Sequence, residues 1–184
     1  MRRTLVWPTM GDPAISLLID CGAGKIDHPG GTLLSHLKRV SALLDGWGAR
    51  PALRTAGLGH AFYGTDGFAA ALVGLADRDR VRAALGEEAE AIVYRYAACD
   101  RKFSYPGLAD ADGPFRDRFT GVVDVPDAGQ RRDLVELTAA NELDLLIVNP
   151  AMRAKYGEAL DRLFTRCRPY LSDSAWLATR RLMG

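Results

Sequence analysis

Histidine and cysteine are scarce in this 184-residue chain, with three of each. Cys21, Cys99 and Cys167 are odd in number, far apart and without CxxC spacing. That argues against a disulfide framework and predicts reduced thiols. An excess of charge is missing too: 24 Lys and Arg stand against 23 Asp and Glu, for a net charge of +1. With no basic run and no basic patch interleaved with aromatics, nucleic acid is not an expected partner. No window approaches the roughly 18 apolar residues of a membrane span. The N-terminal stretch MRRTLVWPTMGDPAISLLID is interrupted by Pro8, Gly11, Asp12 and Pro13, a poor pattern for a signal peptide. Internal repeats, low-complexity tracts and linkers are also lacking. These absences predict one cytoplasmic domain over residues 1–184, with no membrane association.

What is present is helical periodicity. The 48% hydrophobic content suits a globular core. A short helix over 13–22 ends at Gly22, and GAGKIDHPGG follows as a turn. Thr32 is a candidate N-cap for a helix with the stripe Leu33, Leu37, Val40, Leu44 and Trp47. Pro51 opens a helix whose face carries Leu53, Ala56, Gly57 and His60. Gly57 and Gly59 weaken that helix, a cost easiest to understand if a neighbour packs close to the turn. A short helix is expected over 67–76, a surface helix in DRDRVRAALG, and a strong helix in GEEAEAIVYRYAACDR with its acidic residues at the start. Residues 102–127 read as a long loop with a brief extended piece around FTGVVDV. Its four aromatics, Phe103, Tyr105, Phe115 and Phe119, favour an ordered loop acting as a lid. Residues 129–149 and two C-terminal amphipathic segments within 150–183 complete an all-α bundle of about eight helices.

The candidate site comes from residues out of place on these stripes. His36 borders the buried face of its helix, His60 shares a face with Leu53, and Asp100 extends the stripe Ile92, Val93, Tyr96 and Ala97. An unpaired buried carboxylate is expensive and needs a cation, a metal or a dense set of hydrogen bonds. Two imidazoles and one carboxylate match the ligand set of an open mononuclear iron(II) centre, and the same set holds zinc with a bound water. His28, before the second helix, is open between a fourth ligand, a general base and a turn residue. Tyr63, Thr65 and Asn141 are candidate substrate contacts. The bland readings are a solvated helix start for Glu87, Glu88 and Glu90, packing for Cys99, and surface charge for Arg131 and Arg132.

The order of His36 in LLSHLKRV, His60 in AGLGHAF and Asp100 in YAACDR resembles the HD-domain superfamily of metal-dependent phosphohydrolases. More closely, HPGGTLLSHL, WGA, AGLGHAFYGTDGF, LGEEAE and VYRYAACDR are similar to a bacterial and plant family known only as a domain of unknown function, over about residues 22–145. The first resemblance implies an HD-like helical fold and metal ligation by His36, His60 and Asp100. It also implies that the aspartate of the His-Asp doublet is replaced by Ala61. That speaks against a two-metal phosphohydrolase or a diiron oxygenase of the inositol-oxygenase type. Three functions stay open. The first is an enzyme acting on a small molecule with one divalent metal, Fe or Zn, as an oxygenase or hydrolase. The second is a metal-free isomerase, cyclase or lyase using His28, His36 and His60 for acid/base work, with Asp100 orienting an imidazole. The third is a non-catalytic binding protein. The expected partner is a small molecule, with a homodimer left open.

Overall fold

The computed structural model describes residues 12–68 and 70–183; the signal-peptide reading of the N-terminus falls largely outside them. Nine α-helices and two tiny hairpins are found among the described residues, so the all-α expectation holds. No helix there is long and apolar enough to cross a membrane.

Helix starts follow the local chemistry. Helix α1 (Pro13–Asp20) is capped by Asp12, whose carboxylate accepts from the Ala14 amide at 2.8 Å. Helix α2 (Leu33–Gly46) is capped by Thr32, which accepts from the Ser35 amide. Helix α3 (Pro51–Gly59) has proline in its first turn and ends at His60. Helices α4 (Arg78–Leu85) and α5 (Glu87–Ala98) are separated by Gly86 at φ 85°. A single turn, α6 (Arg101–Ser104), precedes α7 (Ala128–Val148), which opens with a capping box of Asp127 and Gln130. Helices α8 (Pro150–Arg166) and α9 (Asp173–Met183) close the chain.

The core lies in two clusters. One gathers α7, α8 and α9 against parts of α2 and α5; the other gathers α1, α3 and α4 against the remaining parts of α2 and α5. Helix α7 is buried on every side from Leu134 to Asn141. It is therefore the central helix rather than the one-sided amphipathic helix that its Leu134, Leu137, Asn141 and Leu145 register suggests.

Three sequence readings change. The 67–76 segment is not an α-helix: Thr65 and Phe68 pair in a β-bridge, and helical geometry returns only as a 3-10 turn at Leu75–Asp77. Glu90 is not solvated. It is 1% exposed, held by Arg78 at 2.7 and 3.0 Å and by the Tyr63 hydroxyl at 2.8 Å. Arg131 is not a surface charge. Its buried guanidinium donates to the carbonyls of Gly107, Leu108, Ala111 and Gly113. Those bonds order the front of the 102–127 segment. Its second half is the hairpin of β3 (Phe115–Arg116) and β4 (Val123–Asp124), where an extended piece is expected.

Helices α2 and α3 meet at Gly57. A methyl group there would sit 2.5 Å from Leu44 Cδ1 and 3.4 Å from Ser41 Cα, so the glycine is what permits the approach. Gly46, also helical, has nothing within 4 Å of such a methyl. Gly57→Ala is expected to lower stability by about 1–3 kcal/mol through overpacking. Gly46→Ala is expected to raise it by about 0.4–1 kcal/mol through the unfolded chain. Urea unfolding of the two variants checks this; equal effects would show that α2 and α3 are not tightly apposed.

Candidate functional site

The close approach of α2 and α3 brings two of the three histidines together. His36 Nε2 and His60 Nε2 lie 3.3 Å apart, and both residues are buried. Each imidazole is oriented through its other nitrogen. His60 Nδ1 donates to the carbonyl of Gly57 at 2.8 Å, which leaves Nε2 as the lone pair. His36 Nδ1 donates to Asp144 Oδ2 at 2.6 Å. Asp144 comes from α7 and is buried, and Arg39 binds both of its oxygens at 2.7 and 2.9 Å in a bidentate fork. Asn141, one turn earlier on α7, places Oδ1 3.1 Å from His36 Nε2, while its amide nitrogen donates to Glu142.

His36 Nε2 thus faces two acceptors, the Asn141 carbonyl and the bare His60 nitrogen. Three lone pairs converge only with a hydrogen-bond donor or a cation among them. A proton on His36 Nε2 answers that requirement, as would a cation.

The third histidine sits in a hairpin rather than a loose turn. Strands β1 (Asp27–His28) and β2 (Gly31–Thr32) pair antiparallel, and the corner uses Gly30 at φ 78°. Arg39 also donates to the carbonyls of Pro29 and Gly30. The guanidinium that neutralises Asp144 therefore also pins the hairpin. His28 stacks on His36 with ring centroids 4.1 Å apart and meets Phe68 edge-on. Its Nδ1 is buried and has no partner among the described residues.

All three histidines line one pocket of about 710 Å³, within the range of small-molecule sites. Thr65 and Asn141 line it as well; Tyr63 does not, since its hydroxyl is spent on Glu90 and its ring packs near Tyr94. Only the front of the 102–127 segment, Lys102, Tyr105 and Pro106, reaches the pocket wall.

Asp100 is not brought to the histidines. Its carboxylate caps α6 by accepting from the Phe103 amide at 3.0 Å and lies 3.6 Å from Arg116. The carboxylate that meets an imidazole is Asp144, which the sequence reading missed. The sequence holds one hint, that Asp144 lies three residues after Asn141 with no cation within four positions, but nothing in it says which helix that carboxylate meets. Among the described residues no group of three or more His, Cys, Asp or Glu is placed to hold a metal. Cys99 is buried and its thiol is pushed up to about 11 by that burial, in keeping with a packing role.

Residues 17–101 match the model of a domain of unknown function, DUF6817. Searches of curated proteins and of solved structures find no match. The matched span carries all three histidines, whereas Asn141 and Asp144, which complete their surroundings, come from α7 beyond it.

Burial and the neighbouring His36 push His60 down to about 3 and His28 down to about 4. For Asp144, burial acts to raise the carboxyl, but the bonds from His36 and Arg39 outweigh it and hold it below the usual range. The two depressed histidines couple stability to pH. Below 6.5 the unfolded chain takes up protons that the folded imidazoles refuse, so stability falls from pH 6.5 towards 4 and is unaffected by these groups above 6.5. The fully buried His60 contributes a slope of about 1.4 kcal/mol per pH unit. Urea unfolding at pH 7.5, 6 and 5 checks this, and a flat profile down to pH 5 would contradict it. Asp144→Ala leaves His36 Nδ1 and Arg39 without their acceptor. It is expected to cost about 2–4 kcal/mol, in the lower part of the range for a broken buried pair because Arg39 keeps some solvent.

Proposed function

We propose that this protein is a small-molecule enzyme that moves protons between two histidines of opposite role, His36 as acid and His60 as base. The observation that carries this reading is the directed chain Arg39–Asp144–His36–His60, whose two imidazoles line a half-open pocket. Asp144 accepts from Nδ1 and so orients the His36 imidazole, as the aspartate of a catalytic triad does. This gives to Asp144 the orienting part that the sequence reading gives to Asp100. His36 Nε2–H donates a proton to a substrate atom, and His60 Nε2 accepts one from another. Return of that proton from His60 Nε2 to His36 Nε2, 3.3 Å away, closes the cycle with no net proton change. That balance suits an isomerase, cyclase or lyase. The buried, unpartnered Nδ1 of His28 and the Thr65 hydroxyl are then substrate contacts. A cytoplasmic setting belongs to the same proposal, with a homodimer left open.

A second reading rests on one feature of the same geometry. Both imidazoles have Nδ1 engaged and Nε2 presented to a common point, the arrangement by which outer partners orient metal-bound histidines. His36 Nε2, His60 Nε2 and Asn141 Oδ1 would hold a single Fe or Zn, which would supply Lewis-acid or oxygen chemistry. The likeness to HD-domain enzymes favours this reading. The position of Asp100 weighs against it, because the carboxylate ligand of that pattern is occupied elsewhere.

Nitrogen-15 NMR of labelled histidine separates the two readings. The acid/base reading expects His60 as the Nδ1–H tautomer with a bare Nε2, His36 protonated on both nitrogens, and no change on adding Zn²⁺ or Fe²⁺. Loss of the His36 Nε2 proton on stoichiometric Zn²⁺ addition, with a tetrahedral Co²⁺ spectrum on substitution, would establish the metal reading instead.

A further inference from the structure

The pocket is strongly two-sided. Beyond the histidines one wall is a polar strip that can be followed contact by contact: His36 to Asn141, Asn141 to Glu142 at 3.2 Å, and Glu142 to Arg101 at 3.1 Å. Next to Arg101 stands Lys102, and one turn further on Pro106, whose carbonyl accepts from Arg166 at 3.1 Å. The strip therefore begins at imidazoles and ends at cations. Arg101 is neutralised by Glu142. Lys102 and Arg166 are exposed and meet no carboxylate among the described residues. The Asp66 carboxylate accepts from the Arg101 backbone amide at 2.8 Å but stands outside the lining, so the unpaired charges that the cavity itself presents there are Lys102 and Arg166, a positive potential.

A second part of the lining is apolar and comes from one face of α8. Met152, Tyr156, Leu160 and Leu163 recur at helical spacing and all line the pocket. That explains an anomaly of α8: Tyr156 is 42% exposed although it belongs to the inward stripe. The aromatic lines the cavity, with Lys155 Nζ 4.9 Å from its ring centroid, and this part of α8 borders space a ligand can fill. An apolar wall joined to a cationic end is a combination that neither a sugar nor a polycation satisfies.

We propose that the pocket takes an amphiphilic organic anion: an apolar body lies along Tyr156, Leu160 and Leu163, and its carboxylate or other acidic head pairs with Lys102 and Arg166. The head is thereby separated from the histidines by the Arg101–Glu142 pair, and the body of the molecule is presented to His36 and His60. This substrate class rests on the enzymatic reading above only for the claim that the ligand reacts; the binding itself does not depend on it.

Isothermal titration with three probes of equal chain length tests the proposal: octanoate, octan-1-ol and octylammonium. Octanoate is expected to bind at least tenfold more tightly than octanol, and octylammonium more weakly than either. The double variant Lys102→Ala, Arg166→Ala, at two exposed positions, is expected to remove the tenfold preference while leaving octanol binding unchanged. Tyr156→Ala is expected to weaken octanoate and octanol alike. Equal binding of octanoate and octanol, or a preference for octanoate that survives the double variant, overturns the proposal. His60→Gln separates it from the enzymatic reading: retained octanoate preference in that variant supports the anion site whatever the histidines do, and loss of the preference places the anion at the imidazoles and overturns it.

Discussion

The contact on which the rest of the site depends is the buried link between Asp144 of α7 and His36 of α2, with Arg39 closing the fork. One carboxylate there receives three N–H donors from a helix more than a hundred residues away in sequence. A charge buried to this degree is tolerable only with such saturation. Satisfying it also fixes the rotation of α2 about α7, because His36 and Arg39 lie three residues apart on one helical face. The same guanidinium reaches back to the carbonyls of Pro29 and Gly30, so the hairpin bearing His28 is set by that contact as well.

A second constraint acts through a different helix. Helix α3 approaches α2 over Gly57, where a side chain has no room, and the carbonyl of that same glycine fixes the His60 ring. The residue that permits the packing is thus the one that orients the His60 ring. The two constraints together hold two imidazoles at hydrogen-bond distance with different partners behind them, a carboxylate for one and a neutral carbonyl for the other. Differing surroundings for neighbouring titratable groups are what assign them different chemical roles.

Much of the architecture was legible because it is written locally. The stripe Leu33, Leu37, Val40, Leu44 on α2, the Thr32 cap, Pro51 in the first turn of α3 and the Gly86 break between α4 and α5 all report backbone preferences of a few neighbouring residues. His36 and His60 stood out because imidazoles on apolar stripes conflict with that local pattern. The suspicion of close packing at Gly57 was readable in the same way, as a helix-weakening residue without a local excuse. Glu90 and Arg131 were misread for the converse reason. Their burial comes from Arg78 and Tyr63 in one case and from four loop carbonyls in the other, partners that no window of sequence contains.

The sequence by itself therefore determined an all-α chain, the starts of α2, α3, α5 and α7 to within a residue or two, and two histidines facing inward. It could not say which carboxylate joins them. Asp100 ends a stripe yet is used to cap its own following turn, whereas Asp144 sits within a helix whose amphipathicity is hidden because it is surrounded. Only the tertiary structure decided between them, since periodicity reports which face of a helix is buried and carries no information about which other helix it meets. The pocket, its cationic end and its apolar wall from α8 arise at the same level, from segments that touch only once the chain is folded.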